Sequence, residues 1–174
     1  MLNYYNKCFW ITGLSASGKT TLSTLLVEYL RKNKIEVVHF DGDDLREVFS
    51  DYGNSKTDRL KRAKKFSKLC KLIIDQGFSV VIGIIGLSHE LQEWNRKNID
   101  NYIEIFLDIP LTELEKRDPK GIYRDAREGK IKNVAGFDLK VEFPRNPDVV
   151  LKWNNNELPT ETLKRLQEKL SMFL

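Results

Sequence analysis

The chain has 174 residues, enough for one domain with a substantial core, and its single-domain span is taken as 1–174. A composition of 41% hydrophobic and 31% charged residues excludes a disordered chain, and no apolar run approaches the roughly 18 residues of a membrane span, so no membrane partner is expected. The net charge of +4 suits a protein that handles small anions, and its basic residues are spread along the chain, so no nucleic-acid partner is expected either.

Met1 to Lys7 is polar and carries no signal-peptide pattern. Cys8 and Cys70 fall in a predicted strand and a predicted helix, without metal-ligand or disulfide-framework spacing, so buried thiols and a cytoplasmic setting are expected. Cys8 to Thr12 reads as a first strand. Gly13-Leu14-Ser15-Ala16-Ser17-Gly18-Lys19-Thr20 follows, matching G-x-x-x-x-G-K-T, and Thr21 to Asn33 then places Leu22, Leu25, Leu26, Tyr29 and Leu30 at helical spacing. Strand, glycine loop and helix are the setting a phosphate-binding loop needs, because backbone N–H groups converge on phosphate oxygens at a helix N-terminus. Gly13, Ser15, Ala16, Ser17, Gly18, Lys19, Thr20 and Thr21 are therefore the expected ATP-binding residues. Lys19 would neutralise the β- and γ-phosphates and the Thr20 hydroxyl would ligate Mg²⁺.

Ile35 to Phe40 reads as a second strand ending in Asp41-Gly42-Asp43-Asp44-Leu45-Arg46, with acids placed where parallel sheets carry ligand groups. Thr57 is the expected cap of a helix reaching about Gln76, with Leu60, Ala63, Phe66, Leu69 and Ile73 inward and Gly77 ending it. Phe78 to Ile85 is almost wholly apolar, as a strand buried on both faces is. A helix from His89 to Lys97, a strand from Tyr102 to Leu107, a helix from Leu111 to Arg117, a strand from Asp148 to Lys152 and a helix from Thr160 to Phe173 complete the alternation. Residues 118–139 differ in character, with Gly129, Gly136 and four basic residues between Arg124 and Lys132, and read as a basic, mobile lid. The expected fold is α/β: a three-layer P-loop NTPase fold with a mostly parallel five-stranded sheet, helices on both faces and a basic lid.

The third strand ends in Ile84-Ile85-Gly86 without a Walker B carboxylate, so Asp41 and Asp43 must supply the acid function. One can hold Mg²⁺, directly or through water, while the other orients and accepts the proton of an attacking hydroxyl; the competing reading is an acidic turn that caps a helix starting near Asp44. His39 reads as structural, Trp10, Trp94 and Trp153 as core or interface residues, and Tyr123 as packing within the lid.

The P-loop, Asp41-Gly42-Asp43-Asp44-Leu45-Arg46, Asp58-Arg59, and the lid run Lys116-Arg117-Asp118-Pro119-Lys120-Gly121-Ile122-Tyr123 with Ala126-Arg127, Gly129 and Ile131-Lys132 together resemble the adenylylsulfate kinases over roughly residues 8–145. The resemblance implies transfer of the ATP γ-phosphate to a ribose 3′-hydroxyl, on a nucleotide carrying a mixed anhydride at its 5′-phosphate, and implies a homodimer. It also implies that Arg46 and Arg59 grip the acceptor's anionic end, that Lys120 and the lid close over both substrates, and that Arg117 or Arg127 stacks on the donor adenine.

The departures fall on the acceptor side. Two family phenylalanines that sandwich the acceptor adenine correspond here to Asn54 and Val134. The family's Ile-Ser-Pro-x-Arg becomes Ile85-Gly86-Leu87-Ser88-His89, and Lys61-Arg62 replaces Glu-Asn, moving a cation to Arg62. The expected acceptor-binding set is thus Asp43, Arg46, Asn54, Arg59, Arg62, Ile85, Gly86, Lys120 and Val134. An offshoot of the family phosphorylates cytidine diphosphoramidate for bacterial capsule decoration, and the lost aromatic plates favour such a pyrimidine acceptor, whose polar edge Asn54 could bond. An adenylylsulfate kinase with an altered base pocket is the alternative. A nucleotide-binding regulatory protein without catalysis is the alternative of another class, disfavoured by retention of Asp41, Asp43 and the lid.

Overall fold

The computed structural model describes residues 6–155 and 157–172. Five strands form one sheet in the order β2-β3-β1-β4-β5. They are β1 (Cys8–Thr12), β2 (Val37–Asp41), β3 (Ser79–Ile84), β4 (Tyr102–Asp108) and β5 (Val149–Lys152). Every pairing is parallel, so the mostly parallel expectation becomes a wholly parallel sheet. β1 and β3 are buried at every residue, the signature of strands covered on both faces.

One face carries α1 (Lys19–Lys32) and α7 (Pro159–Leu170), whose Leu26, Leu30, Leu166 and Leu170 close over Phe9, Ile11, Val81 and Ile105. Phe173, expected on the inner face of the last helix, lies outside the described residues. The other face carries α3 (Lys56–Ile74) and α4 (His89–Asn98) over Trp10, Val80 and Ile82. Cys8 and Cys70 are buried there as free thiols.

Two helix starts differ from expectation for a shared reason: the nearest side-chain oxygen that reaches a free backbone N–H wins the cap. α3 is capped by Ser55 rather than Thr57, because Ser55 and Asp58 stand three residues apart and form a reciprocal capping box. The short helix α2 (Gly42–Val48) is capped by Asp41, not Asp44, through the Asp43 N–H at 2.8 Å. The buried stripe of α3 is Ala63, Phe66, Ser67, Cys70 and Ile74, rotated from the predicted one, with Leu60, Leu69 and Ile73 only partly covered.

α5 (Leu111–Arg117) leads into the lid, which contains α6 (Ile122–Arg127). The lid docks through a third apolar cluster joining its Tyr123, Val134 and Ala135 to Leu14 of the P-loop and to Leu87, Phe106 and Leu114. Gly136 marks the closest approach: its φ is 80°, and a Cβ there would stand 2.6 Å from the Leu14 side chain.

Candidate active site

The P-loop runs from the end of β1 into α1, whose first turn holds no acid while Arg31 and Lys32 sit in its last turn. Its macrodipole therefore presents uncompensated positive charge to the loop. Gly18 takes the left-handed conformation (φ 92°) at the N-cap, a geometry that costs glycine nothing. The Lys19 Nζ donates to the Leu14 carbonyl at 2.6 Å and to Ser17 Oγ at 3.4 Å. Desolvation lowers the Lys19 pKa from 10.5 to about 8, against the opposing pull of Asp41 and Asp43 and with a further push from Lys120. The Tyr123 hydroxyl donates to the Ser15 carbonyl at 3.0 Å, so this lid residue does more than pack: it ties α6 to the loop.

Asp41 ends β2 beside Gly83 of β3. Its two oxygens accept separately, from the Asp43 N–H and from Thr20 Oγ1, the latter at 2.7 Å. Thr20 and Asp41 thus form an exposed oxygen pair at the mouth of the loop. Among the described residues no cluster of three His, Cys, Asp or Glu could hold a resident metal. One or two protein oxygens suit a Mg²⁺ that arrives on nucleotide phosphates and keeps water ligands. Asp43 forms an ion pair with Lys120 of the lid and lies 3.8 Å from Arg46. The hydrogen bond from Lys120 is the main cause that holds the Asp43 carboxyl below the usual range.

Beyond these acids opens a cavity of about 660 Å³ between α3, the end of β3 and the lid. Arg46, Asn54, Arg59, Arg62, Ile85, Gly86, Lys120 and Val134, all expected on the acceptor side, line it together with Asp41, Asp43 and Lys19. The nitrogen Nε of Arg46 is buried without a partner among the described residues.

Two arginines differ from expectation. Arg59 spends its Nε on the Asn54 carbonyl at 3.1 Å and its Nη2 on the Asn133 carbonyl at 2.8 Å. It therefore braces the loop at Asn54 against the lid beside Val134, rather than leaving its whole fork for an anion. Arg62 is buried, and its Nη1 donates to the Asp51 carbonyl, the Asp51 carboxylate and the Gly53 carbonyl at 3.0, 2.9 and 2.9 Å. It forms part of the cavity wall, but its charge is committed to shaping the loop before Asn54. Burial lowers the pKa of Arg59, and the neighbouring Arg62 and Arg46 lower it further, which marks this end of the cavity as cationic.

His89 does not line the cavity; its ring pairs with the Phe143 carbonyl at 2.9 Å. It belongs to a clasp that sequence reasoning missed. Glu142 accepts from the His89 backbone N–H at 2.9 Å and from Lys56 at 3.1 Å, joining the chain after the lid to the first turns of α4 and α3. A lone glutamate in Val-Glu-Phe-Pro carries no local signal of that role. His39 is structural as expected, with its Nε2 3.0 Å from Ser23 Oγ.

A second cavity of about 230 Å³ lies on the other side of the P-loop, bounded by Ser17, Gly18, Thr21 and Arg117 among others. Arg117 and Arg127 therefore separate. Arg117 lines this cavity with its guanidinium carbon 4.2 Å from the centre of the Trp153 ring. Arg127 lines neither cavity and pairs with Glu115 at 2.7 Å, so it is not a base-stacking residue in this arrangement.

A phosphate-binding loop between two cavities, with paired acids and a lid lining the larger one, defines a P-loop phosphotransferase. A family profile described as adenylylsulphate kinase matches residues 5–152. The cytidine diphosphoramidate kinase of Campylobacter jejuni is 35% identical over 163 residues, covering 94% of this chain and 95% of that protein. The adenylyl-sulfate kinase of Pseudomonas aeruginosa is 36% identical over 160 residues, covering 90% and 81%. Among solved structures, the Mycobacterium tuberculosis APS kinase CysC in complex with AMPPNP and APS matches with a TM-score of 0.87 and 32% identity, covering 97% of this chain and 99% of that one. The chain belongs to the adenylylsulphate kinase family. It is an ATP-dependent phosphotransferase acting on a nucleotide hydroxyl. No described helix is long and apolar enough to cross a membrane.

Proposed function

We propose that the chain transfers the γ-phosphate of ATP to the ribose 3′-hydroxyl of cytidine diphosphoramidate. The observation that carries this reading is the wall of the larger cavity. At the two positions where the family resemblance expects aromatic plates, Asn54 and Val134 stand on either side of the Arg59 brace. Without aromatic plates at these two positions the cavity gives up stacking that favours a purine, roughly 1–3 kcal/mol for each base–aromatic contact. Asn54 is exposed to the cavity with an amide that can both donate and accept along a pyrimidine edge. The Campylobacter relative supports the same acceptor, as it is matched over nearly its whole length. The second reading, 3′-phosphorylation of adenylylsulfate, is favoured by the Pseudomonas relative at 36% identity.

In the proposed reaction the P-loop amides and Lys19 hold the β- and γ-phosphates, while Arg46 and the cationic field around Arg59 receive the acceptor's anionic end. Thr20 and Asp41 would hold Mg²⁺, directly or through water, and the ion would supply charge neutralisation for the phosphoryl group. Asp43 orients the 3′-hydroxyl. Its depressed pKa suits a group that stays ionised and takes the proton late, as a loose phosphoryl transition state allows. The new bond joins the 3′-oxygen to the γ-phosphorus, the bond to the ADP oxygen breaks, and the hydroxyl proton leaves through Asp43. Lys120 and the lid exclude water that would otherwise hydrolyse ATP.

The protein works in this reading as one kinase domain, cytoplasmic in keeping with its two free thiols, and as a homodimer, which light scattering behind size exclusion would test. A coupled ADP-release screen of acceptors tests the function. Turnover with cytidine diphosphoramidate above that with adenylylsulfate supports it, and the reverse order replaces it with the second reading.

A further inference from the structure

Eight lysine and arginine side chains line the larger cavity. Six of them hold a partner. Arg46 and Lys120 pair with Asp43, Lys56 with Glu142 and Arg62 with Asp51, while Lys19 and Arg59 donate to backbone carbonyls. The remaining two, Lys132 in the lid and Lys140 just after it, form no ion pair or side-chain hydrogen bond among the described residues. Both are exposed. The acids of the cavity wall are already engaged. Asp41 accepts from Thr20, Asp43 from Lys120, and Asp118 from the Arg124 backbone N–H at 2.9 Å.

The heads of these two lysines are free, but their backbone is held. Next to Lys132, Asn133 gives its carbonyl to Arg59 and its N–H to the Asp138 carboxylate at 2.8 Å. Two residues after Lys140, Glu142 is fixed by the His89 N–H, by Lys56 and by its own N–H to the Leu87 carbonyl at 3.2 Å. Between them the chain closes on itself, with the Gly136 N–H on the Leu139 carbonyl at 2.9 Å and the Leu139 N–H on the Val134 carbonyl at 3.1 Å. Lys132 and Lys140 thus flank the neck of one closed loop that is tied to α3 and α4. Binding an anion there orders two side chains and little backbone.

We propose that Lys132 and Lys140 form an anion subsite for the outer group of the acceptor's 5′ tail, the group beyond its inner phosphate. The inference rests on the reading of the acceptor as a nucleotide with a two-part anionic tail. It deepens that reading by dividing the tail, with Arg46 and Arg59 serving the inner phosphate and the two lysines the outer group. A tetrahedral terminal group presents its oxygens in several directions. That suits two ammonium point charges with three donors each better than a planar guanidinium fork. Each contact at an exposed rim is modest and screened by salt. Two such contacts on one group still separate a tail with an outer anion from one that ends at the inner phosphate.

The test compares two constants: the KM of the acceptor that the wild type turns over, and the inhibition constant of the matching nucleoside monophosphate, which carries the inner phosphate alone. Lys132→Gln, Lys140→Gln and the double variant are measured beside Lys164→Gln, an exposed charge control on α7 that lines neither cavity. Each single change is expected to raise the acceptor KM roughly threefold to tenfold, and the double change raises it further. The monophosphate constant, the KM for ATP and kcat stay unchanged, which also shows that the variants are folded. Lys164→Gln alters none of these values. An acceptor KM within twofold of the wild type in the double variant overturns the proposal. An equal rise for the monophosphate also overturns it, since the lysines would then serve the inner phosphate. A matching effect of Lys164→Gln does the same, by making the loss one of net charge. A wild type that turns over adenylylsulfate and not the cytidine acceptor refutes the cytidine reading alone, because the same comparison then runs against adenosine monophosphate. Turnover of neither acceptor ends the 3′-hydroxyl reading and this proposal with it.

Discussion

The smaller cavity between α1 and β5 and the larger cavity between α3 and the lid, the donor and acceptor sides in the proposed reading, are built differently. On the proposed donor side the phosphate-binding motif is one continuous eight-residue loop that leads into the N-terminus of α1, where free backbone N–H groups suit an anion. On the proposed acceptor side the wall is assembled from stretches far apart in sequence: the end of β2, α3 and the loop before it, the end of β3 and the lid, facing the P-loop. Those stretches are held together by side chains bonding to distant carbonyls, as Arg59 does across 74 residues of sequence to Asn133. The contrast teaches where specificity can change. A loop that binds by its backbone tolerates little alteration, whereas a composite wall is altered by one substitution in any stretch.

The largest effect that sharpens this contrast is expected at Asp43, in the larger cavity beside the loop. Asp43→Asn should lower kcat on the order of 10²–10⁴-fold while the KM for ATP stays nearly constant. Steady-state kinetics with ATP varied at saturating acceptor reads it, and an unchanged kcat removes Asp43 from the chemistry.

Arg62 separates shaping the wall from touching the substrate. Arg62→Met leaves the Asp51 and Gly53 carbonyls without their buried donor while Asp51 keeps Lys65, and a buried acceptor left unsatisfied costs about 1–3 kcal/mol. Denaturant unfolding without substrate should show a loss of this order. A variant as stable as the wild type but raised only in acceptor KM would return Arg62 to direct binding.

Asn54→Phe restores one plate at an exposed position, so it should shift kcat/KM toward adenylylsulfate relative to cytidine diphosphoramidate by roughly tenfold. Val134 is buried among Leu14, Tyr123 and Ala135, so Val134→Phe also carries an overpacking cost of about 1–3 kcal/mol. The single exposed change is therefore the cleaner reading of the plate.

The donor side should respond to pH through Lys19. Its pKa is lowered to about 8, and only the protonated form neutralises phosphate. The kcat/KM for ATP should therefore be constant below that value and fall as pH rises through it, by about tenfold for each further unit. An alkaline limb that begins near the ordinary lysine value would show that desolvation does not govern this group.

The order of the strands and helices, the loop and the extent of the lid were legible because each leaves a local pattern: an apolar strand, a glycine spacing, a helical period. The positions of Asp41 and Asp43 beside the loop followed from the rule that parallel strands deliver ligands at their carboxyl ends, whereas Arg46 and Lys120 beside them followed from the family resemblance. What stayed hidden depends on the partners of a side chain rather than on its type. Ser55 outcompeted Thr57 as a cap because Asp58 could reciprocate. Arg59 and Arg62 look alike in sequence, yet both are engaged with backbone carbonyls, which carry no sequence signature. Trp153 reads as a core or interface residue, and only the end of the β4–β5 ladder sets it beside the smaller cavity.

The central claim, a donor side like the family's serving a changed acceptor side, is tested most directly by competition. Equal concentrations of cytidine diphosphoramidate and adenylylsulfate are offered in one reaction with limiting ATP, and phosphorus NMR locates the new phosphate on each product. The account predicts that the 3′-phosphorylated cytidine product predominates. Predominance of 3′-phosphoadenylylsulfate would contradict it.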